Sequence, residues 1–162
     1  MKLIIGIDPG VHTGYCVWNK DIKHISDYAT LDFWSAIDKI RAMLDKCLSD
    51  GTDVTVRIEN PGLNKPVYFS NKKGVKGFRA SLRVAQNVGG NKRDAELLIA
   101  FCRRIEILYK GSVISRLTGS FKVEVIKPSS KKWTAEMFKA VTGIKTRVSQ
   151  HVRDAAKLVI EQ

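Results

Sequence analysis

The most constraining feature of this chain is the way its first apolar run ends. Leu3–Ile7 is a short stretch of strand-forming residues that stops at an acid, Asp8, and turns at once through Pro9 and Gly10. A run of this length and character is a buried strand. The Pro–Gly step then forces a turn, so a carboxylate is delivered to the tip of a core strand. A carboxylate there is costly unless something binds it.

The rest of the pattern shows where that strand sits. Lys2–Ile7, Tyr15–Trp18 and about Lys23–Ala29 read as an antiparallel meander, with "NKD" as a hairpin turn. Asp32 can cap a helix with the stripe Phe33, Trp34, Ile37, Ile40, Leu44, Cys47 and Leu48, which Gly51 ends. "DVTVRIE" (53–59) alternates as a fourth strand. The helical crossover between the first and fourth strands favours parallel neighbours. Residues 60–80 are loop-like. A helical stretch from about Ser81 is broken by "NVGGN", and a long helix with the stripe Leu97, Leu98, Phe101, Ile105 and Leu108 runs over about 92–110. A fifth strand (122–126), a helix from Ser129 or Ser130 to about Val141, and a last helix capped by Ser149 (150–161) complete one domain over 1–162.

Asp8 and Glu59 each follow the apolar part of a strand in this arrangement. Both then stand at the carboxyl edge of the sheet, where open α/β sheets bind ligands. The last helix supplies the other half of a site. His151, Asp154, Ala155 and Leu158 fall at i, i+3, i+4 and i+7 and share one face, and the apolar pair argues that this face packs on the sheet. Each polar residue has an ordinary reading by itself. Asp8 can cap its turn, Glu59 can pair with Arg57 or a loop lysine, His151 can simply start a helix, and Asp154 can answer the helix dipole. Together they form an oxygen-rich set with one nitrogen, which suits Mg²⁺ or Mn²⁺ better than zinc. Two such ions about 3.5–4 Å apart can clamp the attacking and leaving oxygens of a phosphodiester.

The charge points first to a polyanionic partner, with a generally basic surface as the ordinary alternative. The net charge is +12 and the pI about 9.8, although the hydrophobic fraction, 44%, is ordinary. Residues 1–58 carry 7 basic and 8 acidic side chains, whereas residues 59–162 carry 21 and 8. Between Asn60 and Arg93 stand Lys65, Lys72, Lys73, Lys76, Arg79, Arg83, Lys92 and Arg93, with no acid among them. The three cysteines, Cys16, Cys47 and Cys102, are widely spaced and form no metal pattern. Cys47 and Cys102 fall at apolar helix positions, as core thiols of a reducing compartment would. The N-terminal apolar run is too short for a signal peptide, and nothing is long enough to span a bilayer. The expectation is a cytoplasmic protein with no membrane partner.

"IGIDPGVHTGYCVW", "VRIEN" and "HVRDAAKLVI" resemble, in order and spacing, the catalytic segments of RuvC-type Holliday-junction resolvases of the RNase H-like superfamily. The resemblance implies an α/β, RNase H-like mixed five-stranded sheet flanked by helices. It implies that Asp8, Glu59 and Asp154 hold two Mg²⁺ ions, with Mn²⁺ able to substitute, and that His151 stands where the family has Asp or His. It implies a homodimer that nicks opposed strands of four-way DNA junctions. The region from Glu59 to "NVGG" is about a dozen residues longer than in typical bacterial members, so sequence preference does not carry over. Tyr68, Phe69 or Phe78 could supply the family's aromatic wedge, and Lys127, Lys131 or Lys132 a cation near the scissile phosphate. Three other readings stand beside this one. They are an RNase H-like nuclease for other branched DNA or RNA-containing substrates, an inactive junction-binding protein, and the phosphate loop of actin-like ATPases, which "GIDPGVHTGY" also resembles but which needs a far longer chain.

The basic loop is testable without a structure. Replacing Lys72, Lys73 and Lys76 by alanine should weaken junction binding and flatten log K against log[salt]. The slope should fall by up to about 0.9 for each duplex phosphate left without its lysine. Binding titrations over a salt series measure this. An unchanged slope makes these lysines a solvated surface.

Overall fold

The computed structural model describes residues 1–64, 78–111 and 119–160. Among these, five strands form one sheet: β1 (Lys2–Asp8), β2 (Thr13–Asn19), β3 (His24–Leu31), β4 (Asp53–Glu59) and β5 (Phe121–Ile126). The helices are α1 (Phe33–Ser49), α2 (Phe78–Gly111), α3 (Ala135–Thr142) and α4 (Gln150–Ile160), and a 3-10 turn, Pro61–Leu63, follows β4. The sheet order is β3-β2-β1-β4-β5. β1, β2 and β3 pair antiparallel, whereas β4 runs parallel to β1 and β5 parallel to β4. This is a mixed five-stranded α/β sheet flanked by helices, as expected.

β1 lies at the centre, and its alternation decides what each face holds. Leu3, Ile5 and Ile7 join Val54, Val56 and Ile58 on one face, under Ile40 and Leu44 of α1 and Leu98 and Cys102 of α2. Ile4 takes the opposite face with Cys16, under Val152, Ala155, Ala156 and Val159 of α4 and Phe138 of α3. By the same alternation Gly6 and Asp8 belong to the α4 face. α4 lies against the strand backbone there. A Cβ at Gly6 would stand 2.2 Å from the Ala155 carbonyl oxygen, and one at Gly14 would stand 2.0 Å from the His151 carbonyl oxygen. Neither position has room for a side chain.

Local signals account for several boundaries. Asp32 caps α1, accepting from the Ser35 backbone N–H at 2.9 Å. Ser149 caps α4, accepting from Val152 N at 3.2 Å. The three cysteines are buried and free, and burial pushes the Cys16 and Cys102 thiols up to about 12. None of the described helices is long and apolar enough to cross a membrane.

Four expectations are corrected. "NVGGN" does not break a helix. α2 is continuous through Gly89 and Gly90, neither of which has positive φ. Glycine costs about 1 kcal/mol relative to alanine in a helix, a cost the neighbouring turns of α2 absorb. Of the expected α2 stripe, Leu98, Phe101 and Ile105 pack on the core, but Leu97 and Leu108 do not. Ala95, Leu98, Ile99 and Cys102 are buried, whereas Leu97 and Leu108 are 46% and 62% exposed. Ile99 and Cys102 therefore belong to the chain's own core, and the apolar side chains that α2 leaves exposed include Leu97 and Leu108. Trp34, placed in the α1 stripe, is 72% exposed because Phe33 and Ile37 take the inward positions beside it. Finally, α3 starts at Ala135 with Thr134 as its cap, not at Ser129 or Ser130. Residues 127–134 instead form an irregular segment tied to α4 by Arg153 and Lys157.

The two kinds of glycine should respond oppositely to alanine. Gly14→Ala forces α4 off the sheet and should cost about 1–3 kcal/mol, the usual scale of overpacking. Gly89→Ala meets nothing within 4 Å and should stabilise the helix by about 0.5–1 kcal/mol. Denaturant melts of both variants measure the pair.

Candidate active site

Three acids and a histidine converge at the carboxyl end of β1 and β4. Asp8 is the last residue of β1, and its turn is closed by Thr13 Oγ1 donating to the Gly10 carbonyl at 3.1 Å. Glu59 is the last residue of β4. The parallel register pairs Ile7 with Ile58, so the next residues, Asp8 and Glu59, are side by side. Asn60 extends the ladder to Ile126 O at 2.8 Å, and its side chain accepts from Gly62 N at 2.8 Å, which turns the chain away beyond Glu59. α4 supplies the rest. His151 Nδ1 is 3.0 Å from Asp8 Oδ2. One turn further along, Asp154 accepts from Gln150 Nε2 at 2.8 Å on one oxygen and from Lys132 Nζ on the other.

Burial makes the cluster electrostatically tense. Glu59 is 8% exposed and Asp154 7%. Burial pushes the Glu59 carboxyl up to about 8. The hydrogen bond and charge of Asp8 add to this, as does Asp154, while Lys132 opposes it. Glu59 is not neutralised by Arg57, two residues earlier on the same face. Arg57 Nε instead donates to Glu124 Oε2 at 2.9 Å, and its Nη1 to the Leu158 carbonyl at 3.1 Å. The hydrogen bond to Asp8 raises the His151 pKa against the opposing effect of burial. Burial works against the charged form of Lys132. The hydrogen bond to Asp154 and the charges of Asp154, Asp8 and Glu59 outweigh it and raise the pKa.

The donor chemistry fits a hard divalent cation. A buried carboxylate such as Glu59, pushed toward its protonated form by burial and by neighbouring acids, is what such a cation relieves. Asp8, Glu59, Asp154 and His151 are the residues that would hold it. Their side chains are engaged with protein partners. Among the described residues no group of three or more His, Cys, Asp or Glu is closed into a metal-binding set.

The expected nucleic-acid contacts divide by position. Lys65, Tyr68, Phe69, Lys72, Lys73 and Lys76 lie outside the described residues. Arg79 falls in the first turn of α2, Arg83 and Arg93 are exposed on that helix, and Lys92 is half-buried. Of the three lysines after β5, Lys132 reaches Asp154, and Lys127 and Lys131 stand beside it. With Lys157, Glu59 and Asp154 all three line a cleft of about 140 Å³. Four contributors escaped the sequence reading. Gly6 and Gly14 let α4 approach. Gln150 orients Asp154, and His12 stands with its ring centre 6.2 Å from that of His151. A glycine inside an apolar strand is the one signal that could have found the first.

No protein-family model and no curated protein matches the chain. Among solved structures, T. thermophilus RuvC in complex with a Holliday junction substrate is similar at 16% identity and a TM-score of 0.47, covering 99% of this chain and 91% of that one.

Glu59 gives the metal-free protein a characteristic pH dependence. The folded state keeps this carboxyl protonated up to about 8, whereas an ordinary glutamate ionises near 4.5. Between those values the unfolded chain binds fewer protons, so this group's contribution to stability falls as pH rises. Glu59→Gln should remove that slope and exceed the parent's stability at the upper end of the window. Thermal melts in chelator across the window measure it.

Proposed function

We propose that this chain is a divalent-metal-dependent endonuclease of branched DNA that nicks opposed strands of four-way junctions as a homodimer. The observation that carries the reading is the convergence of Asp8, Glu59 and Asp154, with His151, at one end of the sheet, in a chain of net charge +12. The motif resemblance of the three segments that hold these residues supports the same reading.

Each side chain has a role in this chemistry. Asp8, Glu59 and Asp154 present oxygen donors from three elements that the fold holds at fixed spacing. His151 contacts Asp8 through Nδ1, which leaves Nε2 for a ligand. Gln150 fixes the Asp154 carboxylate. Mg²⁺, two ions per site with Mn²⁺ as a substitute, supplies Lewis-acid neutralisation of charge on a phosphodiester. Lys127 and Lys131, exposed at the cleft, attract the phosphate backbone without reading sequence. DNA binding then rests on the basic surface and bond cleavage on the acids, so the two are separable.

Resolution of a junction needs two symmetric nicks, and a two-fold dimer places them. α2 offers the apolar surface for it. Leu97 and Leu108 are exposed and eleven residues apart, about three helical turns, so they share one face.

The test is cleavage of matched four-way junction, Y-fork, linear duplex and RNA–DNA hybrid with Mg²⁺ and Mn²⁺. The four-way junction should be cut best and only with metal. A supercoiled cruciform plasmid should go mainly to linear product. Asp8→Asn should keep the fold and junction binding but lose cleavage by about 10²–10³-fold, the scale of one preorganised charge-stabilising group. Full activity in excess chelator, or undiminished cleavage by Asp8→Asn, overturns the reading. Preference for the hybrid moves the substrate to RNA.

A further inference from the structure

Residues 127–134 lead from β5 to α3 and pass the mouth of the site. Two side chains of α4 fasten this segment. Lys157 Nζ donates to the Lys131 carbonyl at 2.5 Å and to Ser129 Oγ at 3.0 Å. Arg153 Nε donates to the Trp133 carbonyl at 3.2 Å, and the Trp133 ring is sunk in the core at 3% exposure. The backbone on both sides of Lys132 is therefore held by α4, from positions that bracket Asp154 on the same helix. Between these anchors the Lys132 side chain meets Asp154 Oδ2. It is 55% exposed, so core packing does not explain its aim.

We propose that Lys132 is a built-in counter-ion that holds the metal's place at Asp154, so that its contact with Asp154 and metal loading exclude one another. The inference rests on the metal-dependent reading above. An ammonium has three donors and no lone pair. It can neutralise a carboxylate but cannot share a coordination sphere, and it repels an incoming cation. Asp8, Glu59 and Asp154 form a cluster that needs positive charge whether or not metal is present. Lys132 supplies that charge in the empty site, keeps the cluster folded, and lowers the affinity of the free protein for divalent ions. Loading is then favoured when a phosphodiester adds its own negative charge.

Mn²⁺ binding to the DNA-free full chain tests this by calorimetry, with Lys132→Gln, Lys132→Arg and Asp154→Asn beside the parent. Lys132→Gln keeps a hydrogen-bonding group and removes the charge. It should bind Mn²⁺ about tenfold more tightly, the equivalent of one pKa unit of charge interaction. Lys132→Arg keeps the charge and should match the parent, and Asp154→Asn should bind more weakly than either. Melting adds a second readout. Without metal, Lys132→Gln should melt below the parent, and Mn²⁺ should raise its midpoint by more than it raises the parent's. A purely structural lysine would lower the first and leave the second unchanged. Equal or weaker Mn²⁺ binding by Lys132→Gln overturns the counter-ion role while leaving the metal reading intact. No Mn²⁺ binding by any of the proteins removes the metal reading and the proposal with it.

Discussion

Backbone contact between α4 and the centre of the sheet is the constraint on which the rest of this structure depends. Two strand positions, Gly6 and Gly14, lie so close to the Ala155 and His151 carbonyls that no Cβ fits. A helix resting on ordinary side chains would stand further from the sheet, and His151 would not reach Asp8. The other end of α4 is fixed by a different device. Arg57, buried on β4, donates to the Leu158 carbonyl while its charge is met by Glu124 on β5. The helix is thus held by steric fit at its start and by a charge-assisted hydrogen bond at its end. Both leave Asp154, between them, in a fixed place.

That placement has an electrostatic cost. Glu59 sits in the protein interior beside Asp8 and faces Asp154, and its proton affinity rises accordingly. An acid cluster of this kind is destabilising by itself. The nearby buried ion pair, Arg57–Glu124, shows the ordinary solution, which is one cation for one anion with a hydrogen bond between them. The cluster departs from that solution. It shares one half-exposed ammonium, Lys132, among three acids. Under the proposed function a divalent cation supplies the remaining charge balance of these acids, whereas the Arg57–Glu124 pair is complete within the protein.

Charge is also divided along the chain in a way the fold exploits. The first 58 residues build the centre of the sheet and are nearly neutral, and the excess of basic side chains lies beyond them. β5, the segment after it and α4 bring Lys127, Lys131 and Lys157 round to the acids at the strand ends. Basic side chains and the buried acids therefore meet at one edge, although they come from different parts of the sequence.

Much of this was legible before any coordinates. The apolar run ending at Asp8, the alternating run ending at Glu59 and the i, i+3 spacing of His151 and Asp154 are local patterns, and local geometry places such residues at strand tips and on one helix face. The parallel pairing of β1 with β4 followed from the crossover between them. What the tertiary structure alone decided was which of several apolar faces turned inward and how close the layers came. α2 carries apolar residues around much of its circumference, so its stripe depended on which residues the sheet received. Ile99 and Cys102 went inward and Leu97 did not. Gly89 and Gly90 read as a break because glycine propensity is a local term, and the helix on either side overrode it. The partnership of Lys132 with Asp154 joins residues on different elements, through carbonyls held by Lys157 and Arg153. No spacing in the sequence encodes it, because it arises only when the segment after β5 is laid against α4.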